Sequence, residues 1–162
     1  MIYVVLIFSF LFECAFTNIV NINSLLIPLF LLTSLTMLYP YFKKERYNFI
    51  IVCSILGLIY DILFFNSVFI NTISFFLCSI FIIIGYNYLN YNICNSNIIN
   101  LIIICIYRII SYFLLYIIDY ISFNWNILLK GIYSSLIVNI MYGIIIYIIV
   151  DLISKILKIK RI

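Results

Sequence analysis

Apolar residues fill the chain in long runs, cut by short stretches of Asn, Thr, Pro, Lys and Tyr. A helix rising about 1.5 Å per residue needs roughly 20 apolar residues to cross a bilayer, and six runs come close to that length. They predict spans at about residues 1–16, 24–41, 47–65, 68–86, 98–118 and 129–153, with a basic tail over 154–162. Two-residue polar interruptions, as at Asn66 and Ser67, predict tight turns; the longer Asn- and Tyr-rich stretch 87–97 predicts a polar connector. Pro28 is expected in the first turn of the second span and Pro40 at its end, places where a missing N–H is tolerated.

Composition narrows the class. The 162 residues are 68% hydrophobic and 9% charged, against roughly 45–50% and about 25% for soluble domains. The chain therefore reads as an all-α integral membrane protein, a single domain of six transmembrane helices in a compact bundle, with no room for a soluble catalytic domain. The run 1–16 lacks a basic start and a small-residue cleavage site, so it reads as a retained first span.

Charge then orients the spans. Of nine Lys and Arg residues, seven fall at Lys43, Lys44, Arg46 and at Lys155, Lys158, Lys160, Arg161. With six spans both clusters lie on one side, which the positive-inside rule makes cytoplasmic, together with both termini. A multi-pass membrane location is expected, with the bilayer itself as a partner. Such clustered charge marks topology, not a nucleic-acid-binding face. Trp125, in the connector before the sixth span, suits the membrane interface.

Candidate chemistry is sparse. Histidine is absent, and the five cysteines (Cys14, Cys53, Cys78, Cys94, Cys105) show no C-x-x-C pair, so neither a zinc site nor a disulfide framework is indicated. No nucleophile stands beside a base and no glycine loop could cradle a phosphate, so neither an enzyme nor a cofactor is expected. What stands out are three charged residues inside apolar runs: Glu13, Asp61 and Arg108. Intramembrane charges usually face the bundle interior and pair with one another, and helical depth places these three within reach of a common cluster. Gly57, four residues before Asp61, leaves a flat surface beside the acid. In the sixth span Gly131, Ser135, Asn139 and Gly143 recur at steps of four, a stripe that lets helices pack closely.

Several of these residues together resemble the rod shape-determining MreD family. F-E-C at Phe12, Glu13 and Cys14, G-L-I-Y-D from Gly57 through Tyr60 to Asp61, and L-I-V-N-I around Asn139 carry the likeness, with the size and the basic tail. Where that family often has a glycine just after the turn, this chain has Phe69, Ile70 and Asn71; Arg108 matches no family motif. The resemblance implies a non-enzymatic scaffold of the bacterial cell-wall (peptidoglycan) elongation complex. It would associate with MreC and, through it, with MreB, RodA and a class B penicillin-binding protein. The family's fold is similar to the substrate-binding subunits of energy-coupling-factor vitamin transporters. This gives the alternative function, in which Glu13, Asp61, Arg108 and Asn139 would line a solute cavity. A proton-coupled channel built on the charged trio is a third reading.

Overall fold

The computed structural model describes residues 2–19, 28–65 and 69–156. The turn at Asn66 and Ser67 and the basic residues Lys158, Lys160 and Arg161 lie outside the described residues. The described chain is all helical: α1 (Ile2–Ile19), α2 (Phe30–Leu38), α3 (Arg46–Tyr60), α4 (Ile70–Tyr88), α5 (Ile93–Ile117) and α6 (Trp125–Ile156). A 3-10 turn, Tyr39–Tyr41, prolongs α2, and a π-helical turn, Asp61–Phe65, prolongs α3. Four helices are long and apolar enough to cross a membrane: α3 with its π turn, α4, α5 and α6. Their outward positions carry large apolar side chains such as Ile51, Phe76, Ile102 and Ile137, as a bilayer around the bundle requires.

The centre is α2. All nine of its residues are buried, and it is enclosed by α1, α5 and α6. It is short, about 13 Å at 1.5 Å per residue, less than half a bilayer core. Within the expected span of residues 24–41 the described helix begins at Phe30; residues 20–27 lie outside the described residues. Pro28 lies ahead of the helix, not in its first turn, and Leu29 is non-helical at φ −139°. No side chain near that start caps it. A helix beginning there, in the protein interior, must find its acceptors on other helices.

The remaining joints follow local chemistry. α5 starts at Asn92, whose side-chain oxygen accepts the Ile93 N–H at 2.7 Å, so the 87–97 connector is shorter than its composition suggests. At the other end, Asp119 takes the left-handed conformation (φ 57°) while Tyr120 N–H bonds Leu115 C=O and Asp119 N–H bonds Tyr116 C=O, both at 3.0 Å. That is a Schellman closure with Asp in the position usually held by Gly. The Tyr112 hydroxyl accepts the Asn124 N–H at 2.6 Å, pinning the following loop. Phe113, Tyr116, Phe123 and Trp125 gather there through ring contacts, an aromatic group of the kind that marks a membrane interface.

Candidate functional site

Two buried helix starts organise the polar interior. The first is that of α2. Glu13, fully buried on α1, accepts the Leu31 N–H on Oε2 at 2.9 Å and the Tyr60 hydroxyl on Oε1 through a short hydrogen bond. Asn139, fully buried on α6, accepts the Leu29 N–H on Oδ1 at 2.8 Å and donates through Nδ2 to its own helix at the Ser135 C=O, 2.5 Å away. The exposed N–H groups and positive dipole of a helix start favour a carboxylate and an amide oxygen. Here both come from other helices. A triangle of hydroxyls, Ser9, Ser34 and Tyr142, with sides of 2.6, 2.8 and 3.5 Å, ties α1, α2 and α6 beside them.

The second start is that of α4. Asp61 accepts the Asn71 N–H at 2.9 Å and Asn71 Nδ2 at 3.0 Å on Oδ1. Its Oδ2 accepts the Thr72 N–H and the Thr72 hydroxyl, each at 2.8 Å. Phe69, in the N-cap position, has no oxygen to offer and stands in the left-handed region at φ 70°. Asp61 performs the capping from the end of α3. It can reach because Gly57, one turn earlier, lets the α4 backbone come close: a Cβ there would meet Asn71 O and Thr72 Cα, each at 2.8 Å. Asn71 passes the network on, its Oδ1 accepting the Tyr107 hydroxyl of α5 at 2.6 Å. The Phe75 ring lies between Tyr60 and Tyr107, with centroids 5.9 and 5.7 Å away.

The charged trio does not close into direct ion pairs, although Arg108 lies within electrostatic range of Glu13. Among the described residues no ion pair joins Arg108 to Glu13 or Asp61; the described ion pair is Lys155 with Asp151 at 2.8 Å, at the end of α6. Each carboxylate is directed at backbone N–H groups instead: Leu31 for Glu13, and Asn71 and Thr72 for Asp61. The Arg108 guanidinium lies 5.9 Å from the Tyr107 ring centroid, and its Nε and Nη2 are buried without a hydrogen-bond partner.

The α6 stripe divides. Asn139 serves the α2 start. Gly143 admits α5, since a Cβ there would meet Asn97 Oδ1 at 2.9 Å, Met37 Cε at 3.1 Å and Asn100 Nδ2 at 3.3 Å. Ser135 is buried and bonds back to Gly131 C=O at 3.0 Å and Ile132 C=O at 2.8 Å. A Cβ on Gly131 would meet nothing within 4 Å, so this glycine is no point of close helix approach. The sequence reading passed over Asn71, Thr72, Tyr107 and Tyr142. Polar residues in the turn after an apolar run are the signal for the first two; the tyrosines give none, in a chain with fifteen. It also missed Asn100, fully buried with both amide atoms unpartnered.

Among the described residues no group of three or more His, Cys, Asp or Glu side chains could hold a metal ion. No family model, curated protein or solved structure matches the chain. Among the described residues, the fold and site define an all-helical protein with four helices fit to cross a membrane, whose interior carboxylates hold helix starts.

Proposed function

We propose that the chain is a six-span, non-enzymatic scaffold subunit of a bacterial cell-wall elongation complex, of the MreD type. It would sit in the cytoplasmic membrane with both termini inside and associate with MreC, and through it with MreB, RodA and a class B penicillin-binding protein. One observation carries this reading: the motif residues behind the resemblance are the residues that join the helices. Gly57, Tyr60 and Asp61 unite α3 with α4 and α1, and Glu13 and Asn139 hold the start of α2. Side chains committed to backbone donors in this way build a rigid body that presents its outer faces to partners. α1 and α2, the elements below the length of a free-standing span, count as crossings in this reading; α2 is prolonged by its 3-10 turn.

A solute-binding subunit of the energy-coupling-factor kind is the alternative. The buried, unpartnered Asn100 amide and the Arg108 Nε and Nη2 favour it, since unsatisfied polar atoms inside a bundle call for a partner. Depletion in the native bacterium separates the two. Rounded cells with normal vitamin uptake are expected of the scaffold; rod-shaped cells with failed uptake would overturn it.

A further inference from the structure

α1 and α3 meet where Tyr60 donates to Glu13 and the Phe10 and Tyr60 rings touch edge to face at 6.4 Å. From there toward the start of both helices a groove of about 390 Å³ runs between them, with Tyr3, Phe10 and Leu11 on one wall and Val52, Leu56 and Ile59 on the other. Its accessible lining is wholly apolar. Its length, eight residue steps along α1 from Tyr3 to Leu11 or seven along α3 from Val52 to Ile59, is roughly 10–12 Å. The Val52 end of the groove lies toward the basic loop that leads into α3. Arg46 begins α3 about 9 Å before Val52, and Lys43, Lys44 and Arg46 are exposed. Glu45 is the one opposing charge, and it is engaged by Asn48 Nδ2 at 2.8 Å.

We propose that this groove binds one acyl chain of an anionic phospholipid from the leaflet on the basic side, with the phosphate at Lys43 and Lys44. An extended hydrocarbon tail, confined to a leaflet of about 15 Å, matches the length and needs no polar contact. Charge selects the headgroup: basic residues at a membrane surface attract anionic lipid. The lipid would fill the space beneath the Glu13–Tyr60 contact and so hold α1, which also carries the cap of α2, at its distance from α3.

This inference rests on the membrane-spanning reading alone, so the cell-shape result leaves it standing. The test uses the full chain reconstituted in vesicles of equal phosphatidylglycerol and phosphatidylcholine, followed by native mass spectrometry after gentle extraction. About tenfold more phosphatidylglycerol than phosphatidylcholine is expected on the protein. Leu56→Trp, which fills the groove, should lower retained lipid at least fivefold, and Lys43→Gln with Lys44→Gln should keep a lipid but lose the headgroup preference. A benzophenone photoprobe at Ile55, in an otherwise unaltered chain, should capture lipid; it guards against a Leu56→Trp chain that fails to fold. Equal retention of the two lipids by the unaltered protein, undiminished lipid on folded Leu56→Trp, or photocapture of a protein helix would each overturn the proposal.

Discussion

A side-chain carbon on Gly57 would lie 2.8 Å from the carbonyl oxygen of Asn71, inside the distance at which two such atoms can stand. The obstacle is backbone on both sides, so relief requires α3 and α4 to separate. Gly57→Ala is expected to destabilise by about 1–3 kcal/mol, the range for overpacking a close contact, read as a lower melting temperature in detergent. Gly143→Ala should be milder. Its nearest neighbours, Asn97 Oδ1, Met37 Cε and Asn100 Nδ2, are the ends of side chains that can turn away. Equal losses at the two glycines would show that helix approach at Gly57 is not the limiting contact.

Separating α3 from α4 would also withdraw Asp61 from its four donors on Asn71 and Thr72. Asp61→Asn keeps the shape but replaces one accepting oxygen with an NH2, which turns a donor toward donors. Each orphaned buried donor costs about 1–3 kcal/mol. The expected sign is local: hydrogen exchange at the Asn71 and Thr72 amides should accelerate before the rest of α4 loosens. Unchanged protection there, combined with loss of an ion flux, would make the aspartate a transport group instead.

The Glu13–Tyr60 contact links α1 to α3 while the same carboxylate holds the Leu31 N–H. Glu13→Gln and Tyr60→Phe, alone and together, form a double-mutant cycle. Groups in one hydrogen-bond network couple by about 0.5–3 kcal/mol, so the double variant should lose less than the two single losses combined. Strict additivity in chemical denaturation would separate the two residues.

How far the sequence announced these joins depends on the kind of signal. Runs of apolar residues show where helices lie, because each run must bury or face lipid along its length. Gly57, four residues before an acid, was legible as a close-approach point for the same reason: helical spacing alone puts them on one face. The direction of the acids was not. Proximity of charge suggested Arg108 as their partner, whereas the fold supplies two helix starts, and a helix start buried among other helices leaves no local mark. Around α2 the sequence offers no Ser, Thr, Asp or Asn next to Phe30, and its caps lie 18 and 110 residues away. Only assembled helices reveal them.

Phe69 stands at φ 70° with its ring 53% exposed. A left-handed backbone costs a non-glycine residue roughly 1–2 kcal/mol, and little packing on Phe69 offsets it. Phe69→Gly is expected to raise stability by about 1 kcal/mol, reduced from the full strain because glycine frees the unfolded chain. A drop in melting temperature would mean that the ring is held at the membrane surface by more than its backbone tolerates.

Asn100 and Asn139 are both fully buried asparagines, on α5 and α6, and they should respond in opposite ways. Asn139 satisfies the Leu29 N–H; Asn139→Leu orphans that donor and should cost about 1–3 kcal/mol. Asn100 has no partner for either amide atom. Replacing an unsatisfied polar group by an apolar one of similar shape removes a desolvation penalty, so Asn100→Leu should be neutral or stabilising in the scaffold reading. Asn100→Ala gives the control, because it opens a cavity whatever the polarity and should destabilise. Thermal unfolding in detergent distinguishes the cases. If Asn100→Leu loses as much as Asn139→Leu, the amide is holding something, water or a small polar solute, and the result favours the solute-binding alternative.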